Sequence, residues 1–276
     1  MRRRAAEKDA DASLLPATRG AQYGDMLRHR PMLFVAFGGI NLLFGLPFLT
    51  ALSFNEFFFL PAEAARLSKE EYARFLNTNS LVFDAVYGVC LLILLLGHAG
   101  KIGVMKRWAW GEGIFFWRDF GRGIRENWLS FACSGLLFSL LYLAADYAGM
   151  SLPGKMLPLL PMGLVLLLIE PLLLGDWVRG YYQEGVFRAW GAGFRFLAKR
   201  PGEAFLFFLL YPALLALLMI PKPFFEVLSF ALALLLLPFY EVGWHLFSLS
   251  LFDEFTNAES YPSYYHKGLR DEFEDE

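Results

Sequence analysis

The chain has 276 residues and a formal net charge of −2; 57% of its residues are hydrophobic and 19% are charged. An ordinary soluble domain has about 25% charged residues, so this composition disfavours a soluble enzyme, a disordered chain and a disulfide-stapled secreted domain. The near-neutral charge gives no reason to expect nucleic acid as a partner. The composition instead indicates a multispanning membrane protein with the lipid bilayer around it.

Six apolar stretches of the sequence are long enough to cross a bilayer, which takes about 20 helical residues. They predict an all-α polytopic bundle of about six transmembrane helices. The stretches cover residues 31–54, 79–99, 127–148, 156–175, 203–220 and 224–252. We therefore divide the chain into a basic N-terminal segment (1–30), a six-span membrane domain (31–252) and an acidic tail (253–276).

The distribution of Lys and Arg predicts how the bundle is oriented. The segments outside the spans alternate between cation-rich and cation-poor, with 20 cations in one set and 5 in the other. The cation-rich set contains both chain ends and the connections at 100–126 and 176–202. Because cytoplasmic segments carry the excess of Lys and Arg, we expect a multi-pass plasma-membrane protein with both termini in the cytoplasm.

The two long basic connections contain an internal repeat, aromatic-Arg-x-aromatic-Gly-x-Gly-apolar-Arg. The copies cover residues 117–125 and 187–195, at an offset of 70. At about 100° per residue the aromatic residues of each copy share one stripe and the cations lie beside it. This pattern is typical of a helix in the membrane interface, with aromatic rings among the acyl chains and cations at the headgroups. We therefore expect two interfacial helices in the cytoplasmic connections.

Two interpretations of this repeat stay open at the level of sequence. Either the copies are topology anchors that fix the flanking hairpins, or they form a docking surface for a cytoplasmic partner or for lipid headgroups. The residues that would form such a surface are Trp117, Arg118, Arg122, Arg125, Arg188, Trp190 and Arg195.

Several motifs, in their order along the chain, resemble those of the YesL-like bacterial integral membrane proteins of unknown function. NLLFGLP at 41–47 resembles the first-span motif of that family, and GHAG, a basic segment, WRDF and NW within 97–128 resemble its most characteristic stretch. His98 stands where the family usually has proline. The resemblance covers about residues 35–270. It implies a helical plasma-membrane protein of Gram-positive-type bacteria, often supposed to be an accessory of carbohydrate uptake, with no established reaction or cofactor.

Ionisable residues inside predicted spans are costly, and they are candidates for function by default. We expect Glu170, Glu241, His245 and His98 to lie in the inner half of the membrane, with Glu241 and His245 on one helix face because residues i and i+4 align. They are interpreted as a polar pocket for a proton or solute, or as helix-to-helix hydrogen bonds. If they form a pocket, Glu241→Gln should preserve folding and abolish activity.

No metal or cofactor is expected. Glu241 and His245 supply two ligands, whereas a zinc site needs three or four. The two cysteines, Cys90 and Cys133, each lie in an apolar run and are interpreted as packing residues. The sequence contains no HExxH, Walker A or Rossmann fingerprint and no hydrolase triad order.

The leading hypothesis is a non-enzymatic membrane protein, an accessory of carbohydrate or solute uptake or part of an envelope-associated assembly. Its expected partners are the bilayer and another membrane protein, such as a transporter subunit. An accessory should have a filled core and its most distinctive surface at the basic aromatic connections. One alternative is an autonomous transporter of a small solute or ion, with a water-accessible pocket lined by Glu170, Glu241 or Asn41. The other is an intramembrane lipid-modifying enzyme, with converging ionisable groups open to the lipid.

Overall fold

The computed structural model describes residues 15–150, 152, 159–216 and 223–270. Within these ranges the secondary structure is helical and no β-strand is formed. The prediction of an all-α protein is therefore confirmed. The helices are α1 (Arg19–His29), α2 (Pro31–Phe54), α3 (Leu60–Ala64), α4 (Lys69–Ala109), α5 (Phe116–Met150), α6 (Leu159–Leu166), α7 (Ile169–Tyr182), α8 (Val186–Lys199), α9 (Pro201–Ala216), α10 (Pro223–Phe252) and α11 (Ala258–Ser260), with π-helical turns at Asn55–Phe59 and Asp253–Asn257.

Four helical runs are long and apolar enough to span a membrane, which indicates a membrane protein. The predicted fourth span corresponds to two shorter helices, α6 and α7, of 8 and 14 residues. The predicted fifth span corresponds to α9, of 16 residues. Parts of both predicted spans lie outside the described residues, so the count of six stays a prediction. The four long runs are Pro31–Ala64, Lys69–Ala109, Phe116–Met150 and Val227–Ser260.

Helix α4 is about twice as long as the span predicted at 79–99. It begins at a capping box, in which the Ser68 hydroxyl accepts from the backbone N–H of Glu71 and the Glu71 carboxylate accepts from that of Ser68. It ends at Ala109, and α5 begins at Phe116. The long connection predicted at 100–126 is therefore a turn of six residues, 110–115. Hydropathy falls after residue 100 because charged side chains begin there. The helix nevertheless continues, because Lys101 is buried and Lys106 and Arg107 are partly buried against other helices.

The first predicted interfacial helix is not a separate element. Residues 117–125 form the first turns of α5, which continues without a break to Met150. The second copy does form a helix of its own, α8. Arg200 ends α8 in a non-helical conformation (φ −129°), because the following Pro201 disfavours helical geometry in the residue before it. Only the second copy can therefore lie in the interface independently of a span.

The internal repeat is also a repeat of helix packing, since α4 packs on α5 as α7 packs on α8. A Cβ on Gly123 of α5 would lie 2.5 Å from the carbonyl oxygen of Gly100 and 2.9 Å from the nitrogen of Gly103. A Cβ on Gly193 of α8 would lie 2.8 Å from the nitrogen of Gly175 in α7. Glycine costs about 1 kcal/mol in a helix interior. Here it permits the close backbone contact that small residues give to membrane helices.

The first and last described segments of the chain pack together at one end of the bundle. α1 packs against α10, and Arg19 forms a 2.7 Å ion pair with Asp253, directly after α10. The tail then folds back, and the Lys267 ammonium lies 2.7 Å from the carboxylate of Glu112 in the α4–α5 turn. Residues 253–270 thus pack on the bundle, whereas the acidic residues 271–276 lie outside the described ranges.

Candidate functional site

A buried lysine in α4 is the centre of a cluster of ionisable side chains. Lys101 is 1% exposed, and its ammonium donates to both carboxylate oxygens of Glu241 in α10, at 2.5 and 2.6 Å. It also donates to Oδ1 of Asn41 in α2. Removing a charge from water costs several kcal/mol unless a partner compensates it. Two helices, α2 and α10, supply that compensation to the lysine of α4 at a single point.

His98 lies one turn before Lys101 and completes the cluster. Its Nδ1 is 3.0 Å from the nearer carboxylate oxygen of Glu241. The side chain of His98 is 17% exposed, against 7% for Glu241 and 1% for Lys101. His98 is therefore the member of this group that solvent or lipid reaches most easily.

A proline inside α10 leaves a carbonyl free to bond with α2 at this level. Pro238 has no backbone N–H, so the carbonyl of Leu234, four residues earlier, has no donor within α10. The Asn41 side-chain amide donates to that carbonyl at 3.2 Å. Gly38 and Gly45, on either side of Asn41, lie directly against α10. The Asn41 side chain thus donates through its nitrogen to the free carbonyl in α10 and accepts through its oxygen from the buried lysine.

The structure brings together only two of the four predicted pocket residues, Glu241 and His98. His245 faces α7, where its Nε2 is 3.2 Å from the Tyr181 hydroxyl. Glu170 is buried at the start of α7, and among the described residues its Oε1 has no hydrogen-bond partner. The four residues do not form the single pocket that was predicted. Although Glu241 and His245 are one turn apart, α10 is contacted by α4 on one side and by α7 on another, so the two side chains meet different neighbours.

A second buried polar cluster joins α5, α7 and α8. Oδ1 of Asp176, which is fully buried, accepts hydrogen bonds from the hydroxyls of Ser134 at 2.9 Å and of Ser130. The Trp190 indole N–H donates to the Ser134 hydroxyl at 2.9 Å. Trp190 is a predicted member of the docking surface, but its indole N–H points inward and joins α8 to α5. The close approach of α8 to α7 at Gly193 brings the indole within reach of α5.

Other residues of the two copies are exposed on α5 and α8, and we call this set of aromatic residues and cations the basic aromatic surface. Trp117 and Phe187 occupy equivalent positions in the copies and are 72% and 82% exposed. The Arg118 guanidinium lies 4.1 Å from the ring centroid of Phe115. Large exposed aromatic residues beside cations suit a membrane interface or a partner protein better than open water. The basic aromatic surface consists of Trp117, Arg118, Arg122 and Arg125 in α5 and Phe187, Arg188 and Arg195 in α8.

The turns that precede the two copies share a left-handed residue and an arginine that bonds a carbonyl of the turn. Gly111 and Gln183, which stand 72 positions apart, both have left-handed backbone, with φ of +68° and +57°. Arg107 donates to the carbonyl of Gly113 at 3.0 Å, and Arg179, also 72 positions later, donates to the carbonyl of Glu184. The repeat seen in the sequence therefore marks a repeated helix-turn-helix unit that begins well before the aromatic motif.

The tail contacts both turns, in different ways. At the first turn the Lys267 ammonium pairs with Glu112 and lies 3.8 Å from the ring centroid of Trp110. At the second turn the Tyr182 hydroxyl donates to Oδ1 of Asn257 at 2.6 Å. Burial raises the pKa of the Tyr182 phenol, so this hydroxyl stays protonated and remains a donor.

No family model matches the chain, and no curated protein or solved structure shows significant similarity to it. The resemblance to YesL-like proteins therefore stays a prediction. Within the described part of the chain, no group of three or more His, Cys, Asp and Glu side chains could hold a metal ion.

Proposed function

We propose that this chain is a non-enzymatic protein of the plasma membrane that docks another membrane protein, such as a subunit of a solute transporter, through its basic aromatic surface. The observation that carries the proposal is a contrast between the core and this surface. Lys101, Glu241 and Asn41 satisfy one another in the core, while Trp117 and Phe187 remain exposed. Buried charges that pair within the chain, together with a distinctive exposed surface, are what a docking protein requires.

The proposal includes six membrane crossings, with both termini on the cytoplasmic side. Contacts at one end of the bundle support it. The Gln22 side chain in α1 donates to the carbonyl of Ala109 at 2.6 Å and to that of Gly268 in the tail at 3.2 Å. Arg200, after α8, pairs with Glu254, after α10. These segments belong to the cation-rich set, which the positive-inside rule assigns to the cytoplasm.

The composition of the basic aromatic surface supports a protein partner. Trp and Arg are the residues most enriched among those that dominate binding energy at protein interfaces. The predicted kinship with YesL-like proteins supports an accessory role in solute uptake, as an argument by analogy.

The test is copurification of the tagged chain from native membranes after brief crosslinking in intact cells. The double substitution Arg122→Glu with Arg125→Glu should reduce recovery of the partner at least about tenfold, because like charges brought together at an interface cost several kcal/mol. Arg66→Glu with Arg74→Glu makes the same charge change on α4 and the segment before it, outside the basic aromatic surface. Equal recovery of the partner with both double variants, at wild-type membrane levels, would overturn the proposal.

A second candidate function is transport of a small solute or ion, and His98 is the observation that favours it. Its partial exposure, beside the buried carboxylate of Glu241, gives a proton a way into the cluster. Proteoliposomes with an internal pH dye provide the test. A proton flux that requires the chain and is lost in His98→Phe would support transport, whereas flux equal to that of protein-free vesicles would exclude it.

A further inference from the structure

A cavity of about 390 Å³ opens beside the second turn of the repeat, between α8 and the start of the tail. Such a volume falls within the range of small-ligand pockets, roughly 300–1,000 Å³. Its wall combines apolar residues, such as Val178 and Phe196, with charged and phenolic ones. The charged and phenolic residues are Tyr182, Glu184, Arg188, Arg195 and Tyr261.

The first turn of the repeat holds a cation of the chain itself between a carboxylate and an aromatic ring. There the Lys267 ammonium lies 2.7 Å from the carboxylate of Glu112 and 3.8 Å from the ring centroid of Trp110. Glu184 and Tyr182 stand 72 positions after Glu112 and Trp110. The second turn thus repeats the pairing of a carboxylate with an aromatic ring. Glu184 forms no ion pair with any cation in the described ranges, so its carboxylate is available to an ammonium group from outside the chain.

Two arginines supply the other half of a ligand site. Arg188 and Arg195 are seven residues apart on α8, hence on one face, and both line the cavity. Arg195 donates through Nε to the carbonyl of Gly191 in its own helix, at 3.3 Å. Arg188 has no ion pair or hydrogen bond with the described part of the chain, and it is exposed. Guanidinium groups recognise phosphate by paired, charge-assisted hydrogen bonds.

We propose that this cavity binds the headgroup of an aminophospholipid, phosphatidylethanolamine, with its phosphate on Arg188 and Arg195 and its ammonium on Glu184 beside the Tyr182 ring. A lipid fits better than a soluble phosphate ester because the neighbouring Phe187 is 82% exposed, which places α8 at the acyl-chain boundary. This assignment rests on the proposed function in one respect, the placement of α8 at the cytoplasmic end of a membrane-spanning bundle.

Native mass spectrometry of the purified full chain tests the assignment, with phosphatidylethanolamine, phosphatidylcholine and phosphatidylglycerol titrated separately. Phosphatidylethanolamine should bind about tenfold more tightly than the other two, because only its headgroup donates charged hydrogen bonds to a carboxylate. Glu184→Gln should remove this preference and keep binding of the phosphate. Arg188→Gln with Arg195→Gln should weaken all three lipids.

Two matched controls lie in α5 and α8 but outside the cavity wall: Glu126→Gln for the carboxylate and Lys199→Gln for a cation. Both should bind lipid as the wild type does. A tenfold preference that persists in Glu184→Gln would overturn the site. Displacement of the lipid by equimolar soluble phosphoethanolamine would mean that the ligand is a soluble phosphate ester and not a lipid. Failure of the docking proposal would instead appear as unchanged partner recovery in the α5 variants, so the two failures are distinguishable.

Discussion

The ion pair between Lys101 and Glu241 allows a quantitative test of the core. Glu241→Gln keeps the shape of the side chain but leaves an ammonium group, 1% exposed, without a counter-charge. Removing one partner of a buried pair costs about 3–5 kcal/mol. On sequence alone Glu241→Gln should preserve folding. The structure reverses that expectation, because the partner of Glu241 is a fully buried lysine.

Removal of both charges should cost much less than removal of one. In Lys101→Met with Glu241→Leu no charge remains to be desolvated, and such replacements are often neutral or stabilising. Asn41 Oδ1 then loses its donor, at a cost of about 1–3 kcal/mol. We therefore expect Lys101→Met and Glu241→Leu to lose about 3–5 kcal/mol each when made alone, as Glu241→Gln does. The double variant should recover most of that loss, with a coupling free energy of at least about 3 kcal/mol.

The assay is the free energy of unfolding in mixed micelles, measured by titration with a denaturing detergent at neutral pH. The exposed ion pair between Arg200 and Glu254 is the matched control. Because a surface pair contributes about 0–1 kcal/mol, Arg200→Met should change stability by no more than that. Additive losses in the double variant at the buried site would refute the reasoning, since they would mean that the two charges do not stabilise each other.

Three further outcomes are expected. Gly123→Ala should destabilise the chain by about 1–3 kcal/mol through overpacking. Gly121→Ala, whose Cβ would meet nothing within 4 Å, should be neutral or stabilising by up to about 1 kcal/mol. Detergent unfolding measures both variants, and equal effects would contradict the close packing of Gly123. In single-tryptophan variants, shallow lipid-attached quenchers should quench the fluorescence of Trp117 strongly. They should quench Trp190 much less, because its indole N–H is bonded to the Ser134 hydroxyl. Equal quenching would mean that Trp190 is exposed at the surface. Arg19→Met breaks the buried ion pair with the tail and should speed tryptic cleavage at the tail, and an unchanged cleavage rate would mean that this pair does not hold the tail.

The sequence predicts the helical class and the long apolar helices well, since both follow from hydropathy summed over many residues. It predicts helix ends poorly. α4 continues to Ala109 because Lys101 and the charged residues after it pack against other helices, and a hydropathy profile records only their polarity. The break in the apolar run at residue 100 was therefore interpreted as the end of a helix. Tertiary contacts set the true end.

The sequence predicts two residues of the buried cluster, Glu241 and His98, but not Lys101. Glu241 and His98 were identified because ionisable groups in apolar runs are conspicuous. Lys101 was missed because it was counted among the cations that set the orientation of the bundle. Its spacing of three residues from His98, on one helix face, was an available signal that pointed to a partner for the lone carboxylate of Glu241. No local pattern indicates that His245 faces α7, because that depends on which helices flank α10.

Topology mapping tests the central claim most directly, namely that the end of the bundle with the basic aromatic surface and both termini faces the cytoplasm. Reporters active on only one side of the membrane would be fused after Glu276 and inserted near Ser68. We expect a cytoplasmic signal after Glu276 and an external signal near Ser68, because the cations divide 20 to 5 between the two sides. An external signal after Glu276 would contradict the proposed topology, and with it the cytoplasmic placement of the docking surface.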